Sequence, residues 1–183
     1  MALAACKPPA LDPQSNAAGQ LRPAVTASAE PTCKPRAPKA RTAPTGYAFP
    51  ALTGRVVDGA KLLSVSERRR LSNRLVDAEK QAKHQFVVVT VTSLDGHDID
   101  DYGLKLANFW GVGRQCYDDG ILLIVAPNER KVRIEVGKGL EAALTNAEAK
   151  AIVDRDLLPR FKEGDFPSGI FAGSEAIIRE INE

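Results

Sequence analysis

Cysteine, histidine and aromatic residues are all scarce in this chain, which has three cysteines, two histidines, three tyrosines and one tryptophan among 183 residues. Cys6, Cys33 and Cys116 lack the paired short spacing of a structural zinc site and are too few for a disulfide framework. Cys116 lies in the part expected to fold, but Leu122 stands where a cysteine-phosphatase loop needs arginine, so it reads as an unpaired loop cysteine. No apolar run reaches the 18 residues that suggest a membrane-spanning helix. Nor is there an excess of one charge, with 25 basic and 23 acidic side chains. What imbalance exists is local. Residues 1–50 carry six basic and two acidic groups, leaving 19 basic and 21 acidic groups beyond them. A nucleic-acid-binding domain needs a basic footprint of its own, so that class of partner is not expected.

The basic segment also differs in composition. Residues 1–50 hold 9 of the 12 prolines and 13 alanines. Proline fixes φ and ends helices, while alanine and polar side chains bury too little to offset backbone ordering. Residues 1–48 therefore read as a disordered, semi-extended tether ahead of a domain at 49–183. Leu3-Ala4-Ala5-Cys6 resembles a bacterial lipobox, which makes Cys6 a candidate lipidation site. A working signal needs a basic start and a longer apolar core than five residues allow, so the expectation is an upstream start or a signal largely removed.

Beyond residue 50 the pattern is that of strands alternating with helices. Val56-Val57-Asp58 suggests a brief strand, and Ser64 with Glu67 forms a capping box before a helix with Leu71, Leu75, Ala78 and Ala82 on one face. The opposite face carries Arg68, Arg69, Arg70, Arg74 and Lys80, with acids interspersed, and reads as solvated. Phe86 to Val91 is a continuous β-branched run suited to a central strand. Asp98 caps a helix with Ile99, Tyr102, Leu106, Phe109 and Trp110 on one side. Gly120 to Val125 is a second buried strand, parallel to the first through a right-handed crossover, and Val132, Ile134 and Val136 alternate in an antiparallel return. A capping box at Thr145 and Glu148 opens a helix that ends before Pro159, and a last helix carries Ile170, Ile177, Ile178 and Ile181. The layer rule makes this an α/β sandwich.

Familiar catalytic signatures are missing. No serine sits in G-x-S-x-G, and His84 and His97 have no evident nucleophile partner, so each reads as structural or solvated. Gly137-x-Gly139 follows a strand, but Ala142 occupies the third glycine position of a dinucleotide loop. What remains is carboxylates in loops: Asp58, Asp118, Asp119 and Glu141, with Asp95, Asp98, Asp100 and Asp101 elsewhere. Several oxygens at one sheet edge suit a hard divalent cation, while the plainer alternative is that these acids cap helices and shape turns. The crossover places Asp118, Asp119 and the 137–141 loop at the edge opposite Asp95 and Asp98. Asp58 joins one or the other according to the direction of the first strand.

The order of segments resembles the TPM domain: Val56-Val57-Asp58, Leu62-Leu63-Ser64, Phe86 to Val91, Phe109-Trp110-Gly111-Val112-Gly113, Asp118-Asp119-Gly120 with its strand, Arg133 to Glu141, and Gly164-Asp165-Phe166. The family usually shows Asp-Asn-Gly where this chain has Asp118-Asp119-Gly120, and a glycine where Ala142 stands. The resemblance implies a Rossmann-like α/β/α sandwich with a mixed, mostly parallel sheet, located outside the cytoplasm in the periplasm or cell envelope. It also implies Ca2+ or Mg2+ binding and an acid phosphatase activity attributed to some members. Carried over by position, Asp58 and Asp118 become the metal ligands, Asp119 the water-activating group and Glu141 its orienting partner. The alternative is a non-enzymatic accessory module for membrane-protein assembly or repair, with a membrane-protein partner and a lipid anchor at Cys6.

Overall fold

The computed structural model describes residues 42–182. Cys6 and most of the expected tether lie outside the described residues. The short first strand β1 (Val56–Asp58) leads into helix α1 (Val65–Ala82). Ser64 caps α1 as the sequence predicts, its hydroxyl accepting from the Glu67 N–H while the Glu67 carboxylate accepts from the Ser64 N–H. Strand β2 (Gln85–Thr90), helix α2 (Ile99–Trp110), strand β3 (Gly120–Ala126) and strand β4 (Lys131–Val136) follow. Helices α3 (Asn146–Ile152), α4 (Leu158–Lys162) and α5 (Phe166–Glu180) complete the chain.

The sheet runs in the order β1-β2-β3-β4, with β1, β2 and β3 parallel and β4 antiparallel. Its two faces are separate cores, so the domain is a three-layered α/β/α sandwich, Rossmann-like in its alternation. On one face Leu71, Leu75 and Ala78 of α1 pack with Phe86, Val88, Ile121 and Leu123 and with α3 and α5. On the other, Ile99, Tyr102 and Leu106 of α2 cover Val87, Val89, Leu122 and Ile124. α1 and α2 thus take opposite faces although the strands step in one direction. The two crossovers therefore have opposite hands, and only one follows the usual right-handed preference.

Two local features differ from expectation. The helix that was to end before Pro159 continues instead through a π-helical turn (Val153–Leu157), where the Leu158 N–H reaches back to the Val153 carbonyl. The wide turn lets the chain re-enter a helix with Pro159 in its first turn, where the missing N–H costs least. Contacts with the domain also begin ahead of residue 49. Tyr47 stacks on His97 at 3.9 Å between ring centroids and hydrogen-bonds Asp101 and Lys105. Phe49 meets Tyr102 edge-on, and the Trp110 indole N–H donates to the Pro50 carbonyl. These contacts strap residues 47–50 across α2.

Candidate functional site

The parallel strands give the sheet two unlike edges, and the expected site residues divide between them. At the carboxyl edge, β1 ends on Asp58, in register with Thr90 of β2. The Asp58 carboxylate accepts from the Leu62 and Leu63 N–H groups, each at 3.0 Å, and from the Thr90 hydroxyl at 2.6 Å. Both oxygens therefore hold the turn that starts α1. The Gly59 N–H also donates to the Thr90 carbonyl, so the ends of β1 and β2 are laced together.

Asp118, Asp119 and Glu141 belong to the amino edge of β3. Thr90 is in register with Val125, seven residues beyond Asp118. At ~3.3 Å per residue this puts Asp58 roughly 20 Å from Asp118. The expected Asp58–Asp118 metal pair is thus not assembled, because β1 runs parallel to its neighbours and ends at the wrong edge. Among the described residues no three His, Cys, Asp or Glu side chains converge as a cation would need. The described residues do not fit a shared Ca2+ or Mg2+.

Asp119 is the best-buried acid of the group, 2% exposed. One of its oxygens accepts from the Arg114 N–H at 2.7 Å, and the other pairs with the Arg114 Nε at 2.6 Å and His84 Nδ1 at 3.2 Å. Burial pushes the Asp119 carboxyl up, but the Arg114 N–H, the Arg114 guanidinium and the His84 ring outweigh it and hold it below the usual carboxylate range. These partners make Asp119 a clamp that closes the 114–119 loop and ties it to the chain between α1 and β2. The role expected of it, activating water, requires a lone pair facing solvent, and its burial opposes that.

The clamp shapes a loop with unusual backbone. Gly111, Gly113, Cys116 and Asp118 all have positive φ, the last two at 74° and 46° without being glycine. Such conformations cost energy and persist where the surroundings enforce them. Here the 137–139 segment does so, since the Gly139 N–H donates to the Asp118 carbonyl at 3.0 Å. A Cβ at Gly137 or Gly139 would overlap the Asp118 or Tyr117 carbonyl oxygen, so only glycine permits this approach. Cys116 is exposed in this loop and is disulfide-bonded, which corrects its reading as an unpaired cysteine. No other cysteine lies among the described residues.

Between this loop, the end of α2 and β4 opens a cleft of about 910 Å3, lined by Leu104, Asn108, Arg114, Asp118, Glu135 and Lys138 among others. The exposed Asp118 carboxylate makes no side-chain hydrogen bond or ion pair with the described residues. Glu141 is exposed on the same edge but outside the cleft lining. Glu135 was not anticipated. Its side chain is 14% exposed, lies under α2 against Gly103 and accepts from Arg133 Nε at 2.9 Å. Burial raises the Glu135 carboxyl above its ordinary range, and Arg133 offsets this only in part. The strand alternation carried the signal, because Val132, Ile134 and Val136 face one core and leave Arg133 and Glu135 under α2. The His84–Asp119–Arg114 cluster gave no such signal, joining residues 35 and 5 positions apart.

Comparison with known proteins fits this geometry. The TPM domain family model matches residues 56–180. The N-terminal domain of a protein from P. gingivalis, solved in solution, superimposes with a TM-score of 0.67 at 32% identity, over 71% of this chain and 83% of that one. The N-terminal domain of the cg2496 protein from Corynebacterium glutamicum has the same fold at 19% identity, with a TM-score of 0.57 over 72% of this chain and 82% of that one. No curated protein matches significantly. The family match spans both edges of the sheet, from Val56 in β1 to Glu180 at the end of α5, and the chain belongs to the TPM domain family.

Proposed function

We propose that this TPM domain is an envelope-located, non-enzymatic accessory module for membrane-protein assembly or repair, with the cleft at the amino edge as its contact surface. The observation that carries this reading is the commitment of the acids. Asp119 is held by Arg114 and His84, and Asp58 braces a turn roughly 20 Å from Asp118. The cleft also has the mixed lining of a recognition surface, with the exposed apolar Leu104 beside Arg114, Asp118 and Lys138. Acylation at Cys6 would anchor the domain in the envelope, and loss of lipid labelling in Cys6→Ser is the corresponding check.

One observation favours hydrolysis of phosphomonoesters as the second reading. A carboxyl that burial keeps protonated more readily is suited to donate a proton to a leaving group, and Glu135 is such a group in the cleft wall. The experiment that separates the readings is hydrolysis of a generic phosphomonoester, with and without Ca2+ or Mg2+, by wild type, Asp118→Ala and Glu135→Gln. The accessory role predicts no turnover above buffer in any of them. Wild-type turnover lost in either variant would overturn it in favour of the phosphatase.

A further inference from the structure

The amino-terminal half of α1 carries a charge imbalance that the cleft does not use. Three cations in and around this helix have acidic partners. Arg74 forms a two-point pair with Glu175, Lys80 meets Asp77, and Arg55 meets Glu79. Glu67, the acid nearest the start of the helix, is occupied by the Ser64 cap. Arg68, Arg69 and Arg70 are exposed and make no ion pair with the described residues. Arg70 is steadied over the Phe171 ring at 5.0 Å. Helical spacing sets Val65, Arg69 and Asn73 in one outward row, with Ser66 and Arg70 beside it. These five side chains line a shallow depression. Val65 is 73% exposed, more than any other large apolar side chain among the described residues.

We infer that this face of α1 docks on an anionic lipid surface, with Arg69 and Arg70 of the outward row meeting headgroup phosphates, Arg68 reaching toward them from the flank of the helix, and Val65 entering the interface. Guanidinium binds phosphate through paired N–H donors, and a single exposed apolar side chain beside the cations adds a contact with the headgroup layer. Charge complementarity also selects the orientation. The chain beyond residue 50 is acidic on balance, 19 basic against 21 acidic groups, so a negative surface repels the rest of the domain and draws this face. Three arginines near such a surface give reversible contact rather than anchoring, which suits a domain whose position is set by other means. The inference is independent of the cleft and of whether it binds or hydrolyses.

The test is flotation of the full chain with vesicles of equimolar phosphatidylglycerol and phosphatidylcholine, and with phosphatidylcholine alone. The wild type should float with the anionic vesicles only. Replacing Arg68, Arg69 and Arg70 by Gln should lower partitioning on the order of 100-fold. Val65→Ser should lower it less. A variant losing the same charge from paired cations, with Lys80, Lys150 and Arg155 replaced by Gln, should float like the wild type, since their partners are Asp77, Asp154 and Asp156. The basic amino-terminal segment is common to every variant, so the comparison isolates the helix face. Equal loss in both triple variants would show that only net charge matters and overturn the inference. Wild-type binding to polyglutamate without binding to anionic vesicles would also overturn it, in favour of an acidic protein partner.

Discussion

The two edges of one sheet are built from the same kinds of residue and end up chemically opposite. At the carboxyl edge the chain leaves β1 and β2 toward opposite faces, the arrangement in which α/β sheets usually open a ligand crevice. Here that crevice is shut: Asp58, Thr90 and Gly59 lace the two strand ends together. At the amino edge, glycine contacts and the Asp119 clamp hold a loop of positive-φ residues beside an open cleft. A carboxylate is therefore no marker of function by itself. Asp58 and Asp119 spend their carboxylate hydrogen-bonding capacity on the fold, while the Asp118 carboxylate, adjacent in sequence, makes no hydrogen bond with the described residues.

The sharpest way to break this contrast is steric. Gly139→Ala drives a Cβ into the Tyr117 carbonyl, and it should cost more than about 3 kcal/mol or abolish folding, read by denaturant unfolding. An Ala variant as stable as wild type would show that the loop can move away freely. Asp58→Ala strips acceptors from Leu62, Leu63 and Thr90 at the other edge and should cost roughly 2–4 kcal/mol, with m unchanged.

Acidity separates buried Asp119 from half-buried Glu135. The folded-state pKa of Asp119 is depressed, so its contribution is complete above the unfolded carboxyl value of ~3.9 and is lost as pH falls below it. Glu135 is raised, so it costs stability above its folded pKa, and the cost disappears as pH falls toward the unfolded value of ~4.3. Relative to Glu135→Gln, wild type should therefore gain stability from neutral to mildly acid pH. Relative to Asp119→Asn, it should lose stability only at lower pH. A smaller effect is expected from reducing the Cys116 disulfide: amide shifts should move in 111–119 and stay fixed in 58–63.

Much of the fold was legible because its signals are local. Ser64 with Glu67 and Thr145 with Glu148 each close a helix end within one turn, and the β-branched run at 86–91 needs a buried strand. What escaped was decided at a distance. The edge occupied by Asp58 depended on the direction of a three-residue strand, which composition does not encode. The Asp119 clamp needed His84, brought near by a parallel pairing rather than by spacing. Asp119 stands where the family usually has Asn, and Arg114 supplies both a backbone donor, which an amide oxygen could equally satisfy, and a cation, which favours the acid. Pro159 misled because proline tolerance depends on the turn before it, and that turn is π-helical.

The neighbouring pair Asp118 and Asp119 offers the most direct test of the division between framework and free acids. Denaturant unfolding of Asp118→Ala and Asp119→Ala at neutral pH should show Asp119→Ala losing about 2–3 kcal/mol, since it removes the buried acceptor of the Arg114 N–H, the Arg114 guanidinium and the half-buried His84 ring. Asp118→Ala should change stability by less than about 1 kcal/mol. Equal losses in the two variants, or the larger loss at Asp118, would contradict it.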